Sequence, residues 1–144
     1  MKRSLKSGMN KSTVNSTNGH KFEAELCEKL AEKGFWAHNF ASRSEGQPAD
    51  IIAVKNNTAI LIDCKVCEND EFPFSRIEPN QDTAMTLFEQ CGNLMTFFAL
   101  KLSNGAIYMI SYTTIKTLRN IWKKLKKYHI DVCDSFEDWA NWIG

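Results

Sequence analysis

The sequence predicts an α/β fold in which a mixed β-sheet is flanked by helices on both faces. Three observations lead to this fold. The periodicity of apolar residues gives the order helix, strand, hairpin, helix, two strands and helix. The central hairpin is apolar on both of its faces, so helices must cover both sides of the sheet. A chain of 144 residues with 43% hydrophobic content is long enough to fill one core.

The hairpin at the centre of the sheet can be placed in register from the sequence. Apolar, β-branched runs at residues 51–54 and 58–62 flank Asn56-Asn57. Asparagine tolerates the positive φ of a two-residue hairpin turn. If the turn closes there, Lys55 pairs with Thr58, and every pair further along the two strands is fixed.

That register brings two carboxylates together, because counting outward from the turn places Asp50 directly opposite Asp63. Facing Cβ atoms in a strand pair lie roughly 4.5–5.5 Å apart, and like charges placed there destabilise the sheet. We therefore expect a cation between them, and Mg²⁺ favours one or two carboxylates with waters and phosphate oxygens. Lys65 projects to the same face, since strand side chains alternate. Such a site suits phosphodiester hydrolysis, whereas the alternative is an edge hairpin with two solvated aspartates.

Two predicted helices each direct one polar side chain toward the core. Glu23 falls within the apolar arc of a helix over residues 20–33, where an unpaired carboxylate is unfavourable. It marks either a site or a contact with backbone near the helix N-terminus. Gln81 falls within the apolar arc of a helix over residues 80–91 that ends before Gly92, although it could simply begin that helix. Inward polar groups of this kind usually mark a functional site.

In this order, the motifs resemble those of the PD-(D/E)XK nuclease superfamily, and within it the Holliday junction resolvases of the RecU-like branch. The matching motifs are Gly19-x-x-Phe22-Glu23, Pro48-Ala49-Asp50, Asp63-Cys64-Lys65, Phe72-Pro73-Phe74 and Gln81. The resemblance covers residues 20–112 and implies a restriction-endonuclease-like fold. It also implies a Mg²⁺-dependent DNA endonuclease, with Mn²⁺ as a substitute, that acts as a homodimer and makes paired nicks in four-way junctions.

The resemblance assigns roles to individual residues. The metal ligands would be Asp50, Asp63 and the backbone carbonyl of Cys64, and Lys65 would be the catalytic lysine. Glu23 would be the first-helix acid and Gln81 a supporting active-site residue. The sequence departs from the RecU-like pattern in carrying Asp63 where glutamate is more frequent, and Asn80 where histidine is frequent. Its loop over residues 42–47 is also short for the stalk of those enzymes.

Three further groups of residues are candidates for DNA contact. Ser42 and Arg43 precede Asp50 at the place where archaeal resolvases keep a small or basic residue, or they are simply loop residues. The first 18 residues form a predicted disordered basic arm ahead of a single nuclease domain over 19–144, and the arm either follows phosphates or solubilises the chain. A predicted helix from Thr114 to about Tyr128 has one basic face, which binds phosphate or is merely solvated. The basic residues of the arm and its junction are Lys2, Arg3, Lys6, Lys11 and Lys21, and those of the helix are Lys116, Arg119, Lys123, Lys124, Lys126 and Lys127.

The remaining features predict a cytoplasmic enzyme that has no membrane partner. No apolar run approaches the roughly 18–20 residues that cross a bilayer. The odd number of cysteines, five, is spread over predicted elements and favours reduced, buried thiols. A short amphipathic helix over 135–144 either packs on the core or joins a partner. Two other functions stay open, namely a related nuclease for flaps, breaks or linear duplex, and a silent DNA-binding module. The intact Asp50, Asp63 and Lys65 argue against the silent module.

Overall fold

The computed structural model describes residues 11–40 and 47–143, with side chains from residue 18 onward. The helices are α1 (Lys11–Glu32), α2 (Pro79–Gln90), α3 (Tyr112–Leu118), α4 (Lys127–Ile130) and α5 (Phe136–Ile143), with a 3₁₀ turn at Phe74–Arg76. The strands are β1 (Trp36–Asn39), β2 (Ile51–Lys55), β3 (Thr58–Cys67), β4 (Phe72–Pro73), β5 (Thr96–Leu102), β6 (Ile107–Ser111), β7 (Lys124–Leu125) and β8 (Asp134–Ser135).

Six strands form one mixed sheet in the order β1-β2-β3-β5-β6-β8, while β4 and β7 form a separate pair. Within the large sheet, β3 and β5 are parallel and the other neighbours are antiparallel. One face packs on α1 and α5 through residues such as Leu26 and Trp139. The opposite face packs on α2, α3 and α4 through Met85, Ile115 and Ile130. The predicted fold class, a mixed sheet covered on both faces, is confirmed.

The predicted hairpin is present in the predicted register. Lys55 pairs with Thr58 and Ile51 pairs with Ile62. The turn residues Asn56 and Asn57 have φ angles of 51° and 65°, the left-handed values that the turn requires. A local turn therefore sets which side chains of β2 and β3 face each other.

Helix α1 begins earlier than the sequence predicts. It starts at Lys11 and runs through residues 11–18, which the composition had assigned to the basic arm, whereas residues 1–10 lie outside the described part. Residues 11–18 contain neither proline nor glycine, so nothing in them stops a helix. Extension is also easier than nucleation, and the turns around Phe22 and Leu26 are already packed on the sheet.

The predicted helix from Thr114 to about Tyr128 is wrong in its second half. Helix α3 ends at Leu118, and the chain then turns to form β7 and the short α4. Tertiary pairing explains the difference, because β7 pairs with β4 and the Phe74 N–H donates to the Lys123 carbonyl over 3.0 Å. A helix over this whole range would have buried Ile121 on its apolar side, but Ile121 is 68% exposed. The basic face that depended on this helix does not form.

The C-terminal segment forms the predicted helix and packs on the core. Helix α5 buries Phe136 and Trp139 against the sheet, and Ser135 Oγ accepts the Asp138 N–H over 3.2 Å at its start. Trp142, by contrast, is 57% exposed.

Two further expectations concern the chain as a whole. Over the ranges 11–40 and 47–143, no helix has the length and apolar character needed to cross a bilayer. All five cysteines are free thiols, as predicted, but only Cys64 and Cys67 are buried, and Cys91 near the end of α2 is exposed.

Candidate active site

The edge of the sheet where β2 begins is the place at which the predicted site residues meet. Asp50 lies one residue before β2, and three hydrogen bonds fix it. Its N–H donates to the Ile62 carbonyl over 3.1 Å, and its carbonyl accepts the Phe40 N–H over 2.9 Å. Its side-chain Oδ2 accepts the Cys64 N–H over 2.7 Å. The carboxylate of Asp50 is therefore held against β3, next to Asp63.

Asp63 is fully buried, with 0% of its surface exposed. Its Oδ1 accepts a hydrogen bond from Gln81 Nε2 over 2.8 Å. Its Oδ2 lies 3.1 Å from Lys65 Nζ in an ion pair, yet it has no well-aligned hydrogen bond among the described groups. This buried oxygen is compensated only by the ion pair with Lys65 among the described groups, so it retains lone-pair capacity for a metal.

Gln81 connects the acid and the lysine of this site. Its Oε1 accepts from Lys65 Nζ over 3.3 Å and from the Glu78 N–H over 3.1 Å, while its Nε2 donates to Asp63. These partners set which end of the amide faces which group. Glu78 caps α2, and Pro79 occupies the first turn, which explains why Gln81 points inward from the helix start.

Glu23 reaches the site from α1, on the other side of the sheet edge. Burial, then the charge of Asp50 and a hydrogen bond with that side chain, together raise its pKa to about 7 against the opposing effect of Lys65. Glu23 lies in the middle of a helix that starts at Lys11. The alternative contact near a helix N-terminus is therefore wrong, because the predicted start at His20 was wrong.

The site holds more negative charge than its own cation balances. Burial, and then the charge of Asp50, hold the pKa of Asp63 well above its usual range, although Lys65 opposes the shift. Burial and the surrounding carboxylates also raise the pKa of the Cys64 thiol. Since proximity of like charges favours the protonated forms, the arrangement favours an additional cation.

The donor set suits a hard divalent ion. Asp50 and Oδ2 of Asp63 are carboxylate donors, and the Cys64 carbonyl points to the same strand edge as the Cys64 N–H that binds Asp50. In the described residues, no three His, Cys, Asp or Glu side chains form a complete metal cage. Such an ion would therefore keep other ligands such as waters or phosphate oxygens, as Mg²⁺ does. The residues present fit Mg²⁺.

A cleft of about 460 Å³ opens in front of these groups. Acids on its wall include Glu68, Glu71 and Glu78, whereas Lys65 and Arg76 are its basic side chains within the described ranges. The sequence reasoning missed both Glu78 and Arg76. Pro79, a residue typical of the first helical turn, was the signal that could have identified Glu78 as the cap of α2.

Most of the residues predicted to bind DNA lie away from the cleft or outside the described residues. Lys116 pairs with Glu89 over 2.8 Å, and Arg119 pairs with Asp82 over 2.8 and 3.0 Å. Lys21 and Lys123 are exposed. The first residue of α1 is Lys11, whose side chain is outside the description. The predictions for Lys2, Arg3, Lys6, Ser42 and Arg43 also lie outside the described residues.

The structure thus brings together the five residues predicted to be catalytic and leaves the predicted DNA-binding residues dispersed. The cleft is lined by Glu23, Asp50, Lys65 and Gln81, and Asp63 is buried directly behind Lys65 and Gln81. Their chemistry, with paired carboxylates, a lysine and a bridging amide, is that of a metal-assisted hydrolase.

Comparison with known proteins gives one family and one fold. A family model described as archaeal Holliday junction resolvase (hjc) matches residues 14–139, a range that contains all five clustered residues. Among 24 matching chains of solved structures is Hjc of Archaeoglobus fulgidus, a Holliday junction resolvase from an archaeal hyperthermophile. It has a TM-score of 0.67 and 20% identity, covering 86% of this chain and 96% of that chain, and it supports the fold. No curated protein has significant similarity to the chain.

The raised pKa of Glu23 predicts how the stability of the metal-free protein depends on pH. Between the usual value of 4.5 and about 7, the unfolded chain loses a proton that the folded protein keeps. The free energy of unfolding should therefore fall as pH rises through this window, and Asp63 should act in the same direction. Denaturant unfolding in EDTA at several pH values measures the slope.

Glu23→Gln cannot ionise and serves as the comparison. Its stability should fall less with pH than that of the wild type, and the double variant Glu23→Gln, Asp63→Asn should show the smallest slope. Equal slopes in all three proteins would contradict the pKa assignment.

Proposed function

Because the chain belongs to the archaeal Holliday junction resolvase (Hjc) family, whose members are structure-specific nucleases, we propose that it cuts four-way DNA junctions at the cleft around Asp50 and Asp63 with Mg²⁺ as cofactor. Membership confirms the predicted superfamily and the predicted resolvase activity, and the branch is the archaeal family in place of the RecU-like one. The observation that carries the proposed site is Asp63, fully buried beside Asp50 with one carboxylate oxygen lacking a well-aligned hydrogen bond.

Asp50, Asp63 and the Cys64 carbonyl would hold the metal. Bound there, Mg²⁺ would activate a water and offset the charge of the scissile phosphate, and Mn²⁺ would serve as a substitute. The hydrogen bond from the Cys64 N–H orients the Asp50 carboxylate, and the Gln81 amide orients that of Asp63. These bonds hold both acids in place before substrate arrives.

Lys65 would act on the phosphate or on the attacking water. Its Nζ is held 3.1 Å from Asp63 Oδ2 and 3.3 Å from Gln81 Oε1, at the wall of the cleft. From there it can donate to a phosphate oxygen or take a proton from water. Glu23 faces Asp50 with a pKa raised to about 7, so it can exchange a proton with water in the cleft near neutral pH.

Substitution of the acids should separate catalysis from folding. Asp63→Asn and Asp50→Asn keep the side-chain shape but remove a ligand charge, so junction cleavage in Mg²⁺ should fall by more than about 100-fold. Both variants should still bind junctions and should be as stable as the wild type or slightly more stable in EDTA, since carboxylate repulsion is relieved. Lys65→Ala should abolish turnover while leaving metal affinity largely intact.

Gln81→Ala should lower the rate of junction cleavage by about 10–100-fold, as expected of a group that orients a metal ligand. The assay compares four-way junction, flap and linear duplex, each with Mg²⁺ and with EDTA, so it also separates junction resolution from the related nuclease activities. Cleavage of junctions by Asp63→Asn at the wild-type rate would contradict the assignment of the active site.

DNA contact outside the cleft would come from the basic segment over residues 122–129, which contains β7 and the start of α4. Lys123 and Lys126 are exposed and lie beside the stacked rings of Trp122 and His129, whose centroids are 4.1 Å apart. Strand β7 pairs with β4, which lines the active cleft through Pro73. A strand passing over the cleft can therefore reach this basic segment.

Removing these two lysines should weaken DNA binding, mainly by removing the salt-dependent attraction between lysine and phosphate. In the double variant Lys123→Ala, Lys126→Ala, the slope of log affinity against log salt concentration should become shallower by about 0.9 for each lost phosphate contact on duplex DNA. Lys127→Ala is the control, because Lys127 is already paired with Asp131 over 2.8 Å. An unchanged slope in the double variant would remove this segment from the DNA interface.

The active form would be a homodimer. Each described chain has one cleft of this kind, and paired nicks on opposing strands of a four-way junction need two equivalent sites. Light scattering at micromolar concentration, with and without a junction, should give the mass of two chains. A monomer under both conditions would contradict the proposal.

The enzyme would work in the cytoplasm. All five cysteines are free, and Cys64 and Cys67 are buried beside the active site, which suits a reducing compartment. Cell fractionation with an antibody to the chain tests this location.

A further inference from the structure

The outer edge of the sheet carries three aromatic side chains in a row. Trp36 is 61% exposed, His38 is exposed and Phe40 is partly exposed. The rings of Trp36 and His38 are nearly parallel, with centroids 6.2 Å apart, and those of His38 and Phe40 meet edge to face at 5.5 Å. We call these three residues the aromatic ladder.

The aromatic ladder lies on the same face of the sheet as the active-site carboxylates. His38 is directly opposite Ile52, and Ile52 is directly opposite Leu61, so these three side chains share a face. Since side chains alternate along a strand, Asp63 lies on the face of Leu61. Asp50 comes directly before β2 and lies beside Asp63 at the sheet edge. The ladder and Asp63 therefore share one face of the sheet, with Asp63 buried against Gln81 of α2 and Trp36 exposed at the edge.

The ladder also begins next to the site. The N–H of Phe40 donates to the carbonyl of Asp50 over 2.9 Å, so the first ring belongs to a residue bound to the backbone of a proposed metal ligand. From Phe40 to Trp36 the strand covers about 13 Å, at roughly 3.3 Å per residue. A nucleic acid strand that enters the cleft can reach all three rings within a few nucleotides.

Phe40 packs partly against the core of this face, but core packing does not explain Trp36 and His38. Helix α2 covers the inner strands of this face through Met85, but Trp36 remains mostly exposed at the edge. Exposed edge strands usually carry charges that prevent pairing with other chains. Residues 35–40 include no lysine, arginine, aspartate or glutamate. An uncharged, exposed aromatic edge beside an active site is therefore unlike ordinary edge protection and indicates a ligand surface.

We propose that the aromatic ladder stacks on unstacked bases at the branch point of the DNA substrate. This inference depends on the proposed function, because it needs DNA in the cleft. Bases at a branch point can be splayed from their stack, whereas bases within a duplex are covered by their neighbours. Aromatic side chains bind such bases in a sequence-tolerant way, because every base has a π-face. No carboxylate in residues 35–40 or 47–49 would repel the backbone. The ladder would distinguish a branch from continuous duplex.

The test measures binding by the cleavage-deficient Asp63→Asn protein in EDTA, so that cutting does not interfere. The DNA probes are a four-way junction with two unpaired nucleotides at the branch, the same junction with those two nucleotides made abasic, and a linear duplex. Adding Trp36→Ala or His38→Ala should weaken binding to the first probe about five-fold or more. Binding to the abasic junction and to the duplex should change less than two-fold.

Two further variants control for loss of a ring in general. Trp36→Phe keeps a stacking surface, so it should bind all three probes with the affinity of the Asp63→Asn parent protein. Trp142→Ala removes a tryptophan that is 57% exposed elsewhere on the molecule, and it should also bind all three probes like the parent.

Several results would overturn the inference. Equal affinity of Trp36→Ala and the parent for the branched probe is one, and an equal loss on all three probes is another. A lower mass of Trp36→Ala in light scattering would instead make the ladder a contact between protein chains. Failure of the proposed function is distinguishable, because the wild type would then cut no junction in Mg²⁺ whatever the ladder variants bind.

Discussion

The structure of the site depends on two like charges that the hairpin turn forces to face each other. Because Asn56-Asn57 closes a two-residue turn, Asp50 and Asp63 meet at the far end of the strand pair. Apolar burial along the rest of the hairpin holds this register, since a slip of one residue would turn every buried side chain to the wrong face. The surrounding polar groups then act as compensation for a repulsion that the fold itself imposes.

Each compensating group comes from a different element. The Cys64 N–H is available to bind Asp50 because β2 begins only at Ile51, opposite Ile62, so β3 extends past it. The parallel pairing of β3 with β5 requires a crossover, and α2 in that crossover supplies Gln81 to Asp63 and Lys65. These contacts reduce the excess of negative charge without removing it, as the raised pKa values of Glu23 and Asp63 indicate. The remaining imbalance is what a divalent ion would neutralise.

The parts of this arrangement that were predictable from sequence are the parts set by local rules. The hairpin register follows from one turn, and the inward position of Gln81 follows from helical periodicity. The segment after Leu118 could not be predicted in this way, because its pairing with Phe72-Pro73 is distant in sequence and overrides a good helical pattern. The basic face predicted there was wrong for that reason. The aromatic ladder could not be predicted, because the exposure of Trp36 depends on how far α2 extends over the sheet.

The central claim is that Asp50 and Asp63 together hold a divalent metal, and a crystal of the wild-type protein grown with Mn²⁺ tests it most directly. Anomalous diffraction locates the ion without any assumption about activity. The account predicts a peak between the two carboxylates and next to the Cys64 carbonyl, absent from crystals of Asp63→Asn. A peak bound elsewhere, or a peak that persists unchanged in Asp63→Asn, would contradict it.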